Sequence, residues 1–162
     1  MAYDIFMKLD EIPGESTDDK HKEWINLLSY SMGVSQMAVD RSAGSAGGTS
    51  RADFQNLAAV HRYDKASPKL FEFCATGKHI PTVLVQLHRA TGDKQKYLEY
   101  KLTDVVITSV APAGDGSSDV VPLESFTLDY GKIEITYTAT DNKGTAKGDV
   151  KAGWDRVANK KV

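Results

Sequence analysis

Cys74 and His79 are the pair in this chain whose residue types come nearest to a nucleophile with its base. A thiol attacks as the thiolate, so it needs an activating charge or a base in reach. Cys74 sits instead at helical spacing with Leu70 and Phe73, where a thiol is a small hydrophobe. The chain has one cysteine, so no intramolecular disulfide can form, which suits folding in a reducing compartment. The four histidines, His21, His61, His79 and His88, show no metal-ligand spacing with one another or with Cys74. Asp115 and Asp119 flank Gly116-Ser117-Ser118 but lack the ligand density of a calcium loop. The Gly/Ser/Ala run from Arg41 to Ser50 carries neither the Lys-Ser/Thr ending of a phosphate-binding loop nor a G-x-G-x-x-G pattern. Tyr97, Tyr100 and Lys101 put aromatics beside a basic group, without the basic stripe that nucleic-acid binding needs. These residues predict no catalytic, cofactor-binding or metal site, and the chain is not read as an enzyme.

The elements around them are mostly strands. Tyr3, Ile5, Met7 and Leu9 alternate on one face, with Phe6 on the other, and Pro13-Gly14 marks a turn. From Lys22 to Gln36 one parity is large and apolar: Trp24, Leu28, Tyr30, Met32 and Val34. The opposite parity is small: Ser29, Ser31, Gly33 and Ser35. That pattern predicts a sheet with one face on the core and one open to water. Further strands are expected over Phe54–Arg62, Ile80–His88, Tyr97–Val110, the two runs either side of Gly131-Lys132, and Val150–Val157. Apolar parity switches at Gly131-Lys132, which calls for a bulge or tight bend. One helix interrupts them. Ser67 reads as its N-cap, Pro68 as its first turn and Gly77 as its stop, with Leu70, Phe73, Cys74 and Gly77 on one face. About eight strands with short connections argue a sandwich or barrel. A length of 162 residues suits one domain, read as residues 1–162, with its own core.

The segment from Tyr63 to His79 also resembles, in its residues, the haemolysin-coregulated protein (Hcp) family, the tube subunits of bacterial type VI secretion systems. So do Tyr3-Asp4-Ile5-Phe6-Met7-Lys8-Leu9 with Pro13-Gly14-Glu15-Ser16, and Ser29-Tyr30-Ser31-Met32-Gly33-Val34-Ser35-Gln36. The Gly/Ser/Ala run, Leu102-Thr103-Asp104-Val105 and Gly153-Trp154-Asp155 follow in family order. The resemblance implies a mainly β fold: two antiparallel sheets forming a β-barrel-like body with one short flanking α-helix. It implies homohexameric rings that stack into a hollow tube, capped by a valine-glycine-repeat spike protein, propelled by a contractile sheath and carrying effector proteins. No cofactor and no catalytic extension are expected.

The remaining expectations concern place and partners. A formal net charge of −2 gives no electrostatic reason to bind nucleic acid or an anionic membrane. Asp4, Lys8, Asp10 and Glu11 interrupt the start, so no cleaved signal peptide is read, and no run reaches the length of a membrane span. The chain is expected to assemble in the bacterial cytoplasm and leave through the type VI system. Ser29, Ser31, Gly33 and Ser35 are expected to line the channel. Ser42, Gly44, Gly47 and Gly48, too small to build a core, are expected to work between subunits. The alternative function is a small-molecule-binding β-barrel.

Overall fold

The computed structural model describes residues 3–37, 50–90 and 92–162. Its elements are β1 (Tyr3–Leu9), β2 (Ile25–Ser31), β3 (Val34–Ser35), β4 (Asp53–Phe54), β5 (Leu57–Arg62), α1 (Ser67–Thr76), β6 (Ile80–Arg89), β7 (Lys96–Ala113), β8 (Leu123–Thr140), β9 (Ala146–Asp155) and β10 (Lys160–Lys161). Six strands, in the order β8-β5-β2-β1-β6-β7, close into a barrel because β7 pairs back onto β8. Every pairing is antiparallel. Closure leaves these strands without free edges. The second half of β8 runs on past β5 and pairs with β9, which in turn carries β10. β3 and β4 form a separate two-stranded sheet. Among the described residues the fold is therefore mainly β and barrel-like with one short helix, as the family resemblance implies.

The barrel is filled by its own side chains. Met7, Ile25, Leu57, Val83, Val85, Leu102, Phe126 and Leu128 point inward from six strands and are fully buried, and Leu70 and Phe73 of α1 join the same core. Phe6 lies on the other face of β1, where its ring stacks on His21 at 4.2 Å between centroids.

The helix begins differently from the sequence reading. Ser67 lies inside α1 and is buried; Ala66 precedes the helix and contributes no side-chain cap. Asp64 fastens the turn that leads into the helix. Its Oδ1 accepts the Ala66 N–H at 2.9 Å, while its own N–H donates to Ser67 Oγ at 3.2 Å. Gly77 ends the helix in the left-handed region, at φ 67°, as predicted. Cys74 is half-buried and packs against the core, less covered than Leu70 or Phe73.

Two strands depart from simple alternation. β2 carries a bulge between Leu27 and Ser29, which reverses its parity. Ile25 and Leu27 point inward before it, Tyr30 and Met32 pack on the core after it, and Leu28 is left 49% exposed. Leu28 and Val34, both read as core, are thus outside; Val34 sits on the small β3–β4 sheet and is 61% exposed. The expected strand Phe54–Arg62 is likewise divided into β4 and β5.

Candidate cargo-facing surface

The outward face of the barrel wall is built from four neighbouring strands. Register places Ser29 of β2 beside Val60 of β5, Val60 beside Ser125 of β8, and Ser125 beside Ala111 of β7. The next outward rung reads Ser31, Ala58, Thr127 and Ser109 across the same four strands. Eight positions in two rungs therefore hold nothing larger than valine and no charge. Their inward neighbours Tyr30, Ala59, Phe126 and Val110 belong to the core or pack against it, so alternation itself turns this face away from the interior.

The hydroxyls of Ser109 and Thr127 on this face are tied to their neighbours. Ser109 Oγ and Thr127 Oγ1 are 2.6 Å apart, Thr108 Oγ1 lies 2.7 Å from Thr127 Oγ1, and Asn56 Nδ2 donates to Thr108 Oγ1 at 3.1 Å. A hydroxyl already engaged this way is held down on the sheet rather than projecting from it. The result is an uncharged, weakly polar surface of small side chains. Tyr30 backs it from inside: its hydroxyl is 3.1 Å from that of Tyr100, and burial followed by this contact pushes its pKa well up.

Of the stripe predicted on one parity, Ser29 and Ser31 lie on this wall and are exposed. Ser35 does not share it, because β2 ends at Ser31 and Ser35 pairs with Asp53 in the β3–β4 sheet. Gly33 stands between the two, half-buried, with the Gln55 side-chain oxygen 3.0 Å from where its Cβ would be. Ser42, Gly44, Gly47 and Gly48 lie outside the described residues. Ala58, Val60, Ser109, Ala111, Ser125 and Thr127 were not singled out by the sequence reading. Their signal is present as small residues at the non-core parity of three further strands, but only strand register shows that they meet.

A second cluster lies between β1, β6, β7 and the turns preceding β2 and β7. His21 Nδ1 is 2.7 Å from Asp18 Oδ2, and His21 Nε2 is 2.9 Å from Gln86 Oε1. Gln86 Nε2 donates to Glu99 Oε2 at 2.6 Å, and Lys94 Nζ reaches Asp18 Oδ1 at 3.0 Å. The hydrogen bonds from His21 and Lys94 hold the Asp18 carboxyl down to about 2. Burial lowers the pKa of His88, whose Nδ1 meets the Lys94 carbonyl at 2.8 Å. These polar groups are committed to one another. His79 is exposed and pairs with Asp104 at 2.7 Å. Among the described residues no group of three or more His, Cys, Asp or Glu side chains is placed to hold a metal ion.

Known proteins share this architecture. The family described as type VI secretion system effector, Hcp, matches residues 6–137. Protein Hcp1 of Pseudomonas aeruginosa is 34% identical over 157 residues, covering 96% of each chain. A solved type six secretion system protein superposes with a TM-score of 0.92 at 34% identity, covering 99% of this chain and 100% of that one. Hcp1 from Salmonella typhimurium superposes with a TM-score of 0.81 at 35% identity and the same coverage. The match spans the barrel wall and the helix alike, and the chain belongs to the Hcp family of type VI secretion system proteins.

Proposed function

We propose that this chain is the structural subunit of a type VI secretion tube. Six copies close into a ring, rings stack into a hollow tube, and the two-rung face of small side chains lines the channel. The role is mechanical and involves no chemical step. The partners are further copies of the chain, a valine-glycine-repeat spike protein, a contractile sheath and effector proteins carried in the lumen. The subunit assembles in the bacterial cytoplasm and leaves with the tube.

The observation that carries this reading is the composition of the wall. A channel that passes protein cargo must present few long side chains and little fixed charge, or cargo would be blocked or held. Ser29, Ser31, Ala58, Val60, Ser109, Ala111, Ser125 and Thr127 meet that requirement across four strands at once. The alternative of a small-molecule-binding barrel is disfavoured because the interior is occupied by Met7, Ile25, Leu57, Leu102, Phe126 and Leu128.

Ser31→Gln tests the assignment. The change adds bulk without charge at an exposed position, so folding and ring formation are expected to be unchanged. Binding or export of an effector is expected to fall. Unimpaired export by this variant, or a ring with Ser31 on its outer wall, would remove the lumen assignment.

A further inference from the structure

His61, Glu124 and Asp64 form a charged group that a tube wall does not require. His61 on β5 is 0% exposed and its cross-strand partner on β8, Glu124, is 1% exposed. His61 Nε2 donates to Glu124 Oε1 at 2.8 Å. On the other side of the ring, Nδ1 makes no hydrogen bond and lies 3.8 Å from Asp64 Oδ1. That is beyond hydrogen-bond length but within reach of ionic attraction. The charged groups facing His61 are Glu124 from β8 and Asp64 from the approach to α1; β2 contributes Leu27 and β8 also the edge-on ring of Phe126. Asp64 fastens the turn that leads into α1 through the Ala66 N–H.

A neutral imidazole here would leave the Glu124 carboxylate as an uncompensated buried charge, the arrangement a protein interior tolerates least. An imidazolium stands between the two carboxylates, offsets the charge of Glu124 directly and attracts Asp64 from its other side. Burial opposes its charge, but Asp64 and Glu124 more than offset this and hold the His61 pKa above the usual imidazole value.

We propose that Asp64, His61 and Glu124 are a proton-operated clamp. With both ring nitrogens protonated, His61 fastens the entry of α1, through Asp64, to the barrel wall, through Glu124. When the Nδ1 proton leaves, the attraction to Asp64 is lost, Glu124 is left without its counter-charge, and the start of the helix loosens. The direction follows from linkage. A folded-state pKa above the unfolded one gives stability that is complete below the unfolded value and is lost as pH rises through the folded one. The window therefore opens at about 6.5, the ordinary imidazole value, and runs upward. His88, whose pKa burial lowers, acts in the opposite sense below that value and does not overlap it.

Urea unfolding of the full chain across pH 6 to 9 tests the clamp, together with NMR of the His61 ring. The unfolding constant is expected to rise about tenfold per pH unit from this one proton inside the window. Asp64→Asn keeps an oxygen to accept the Ala66 N–H, and Glu124→Gln keeps an acceptor for Nε2; each is expected to flatten the rise and to lower the pH at which the His61 ring titrates. Hydrogen exchange at the Leu70 amide, bonded to the Ala66 carbonyl at 2.9 Å, is expected to quicken over the same range in the unsubstituted protein. An His61 ring already neutral at pH 6, or the same pH dependence with and without Asp64→Asn and Glu124→Gln, would overturn the proposal.

Discussion

Asp104 holds the rung at which the two longest strands change face together. Leu102 points inward on β7, and the next inward residue is Val105, three positions on; across the ladder Tyr130 and Ile133 on β8 are likewise three apart. Register is unbroken through the change, with Thr103 opposite Lys132 and Val105 opposite Tyr130. Asp104 supplies the reversal by adopting a left-handed backbone, φ 53°, and Gly131 offers it a side without a Cβ. The left-handed region costs an ordinary L-residue about 1–2 kcal/mol, less for Asp or Asn. Asp104→Ala is therefore expected to lose about 1 kcal/mol and Asp104→Val about 2 kcal/mol. Asp104→Gly gains relief of similar size but gives back about 0.5–1 kcal/mol in chain entropy, so it should be nearly neutral. The lost bond to His79 adds little, because both side chains are more than half exposed. Urea midpoints at fixed pH rank the series. Valine as stable as glycine at this position would refute the reasoning, since the face change would then have another source.

Gly14→Ala is expected to lose about 1–3 kcal/mol by overpacking, because a Cβ would meet the Trp24 carbonyl oxygen at 2.5 Å; thermal unfolding measures it. Cys74→Ala should cost about 1 kcal/mol or less, since the side chain is half-buried, and should leave assembly unchanged by light scattering.

Much of the fold was legible because β-strand periodicity is local. β1 runs over the predicted residues with Ile5, Met7 and Leu9 inward, and Gly77 stops the helix where its conformational freedom is needed. The parity switch at Gly131 was visible too, but β8 runs through it with no shift in register rather than with the expected bulge or bend; its counterpart at Asp104 was not visible, because aspartate is common in turns and strand surfaces alike. The bulge after Leu27 was hidden for a related reason. Leu28 is apolar and fits the wrong parity smoothly, so only pairing with β5 reveals the extra residue. Ser67 reads as a cap because Ser-Pro is a common helix start, yet it stands inside the helix and its Oγ accepts the Asp64 N–H of the preceding turn. The candidate wall was half legible. Ser29 and Ser31 declared themselves by alternation along one strand. Ser109, Ser125 and Thr127 join them only through register with strands distant in sequence, which a single strand's pattern does not contain.

Size exclusion with light scattering, followed by electron microscopy of the same fraction, tests whether copies of this chain close into a ring with the small-residue wall inside. The expected result is a hexamer with a central channel onto which Ser29, Ser31, Ser109, Ser125 and Thr127 open. A monomeric mass throughout the micromolar range, or a ring whose channel is lined by other strands, would contradict it.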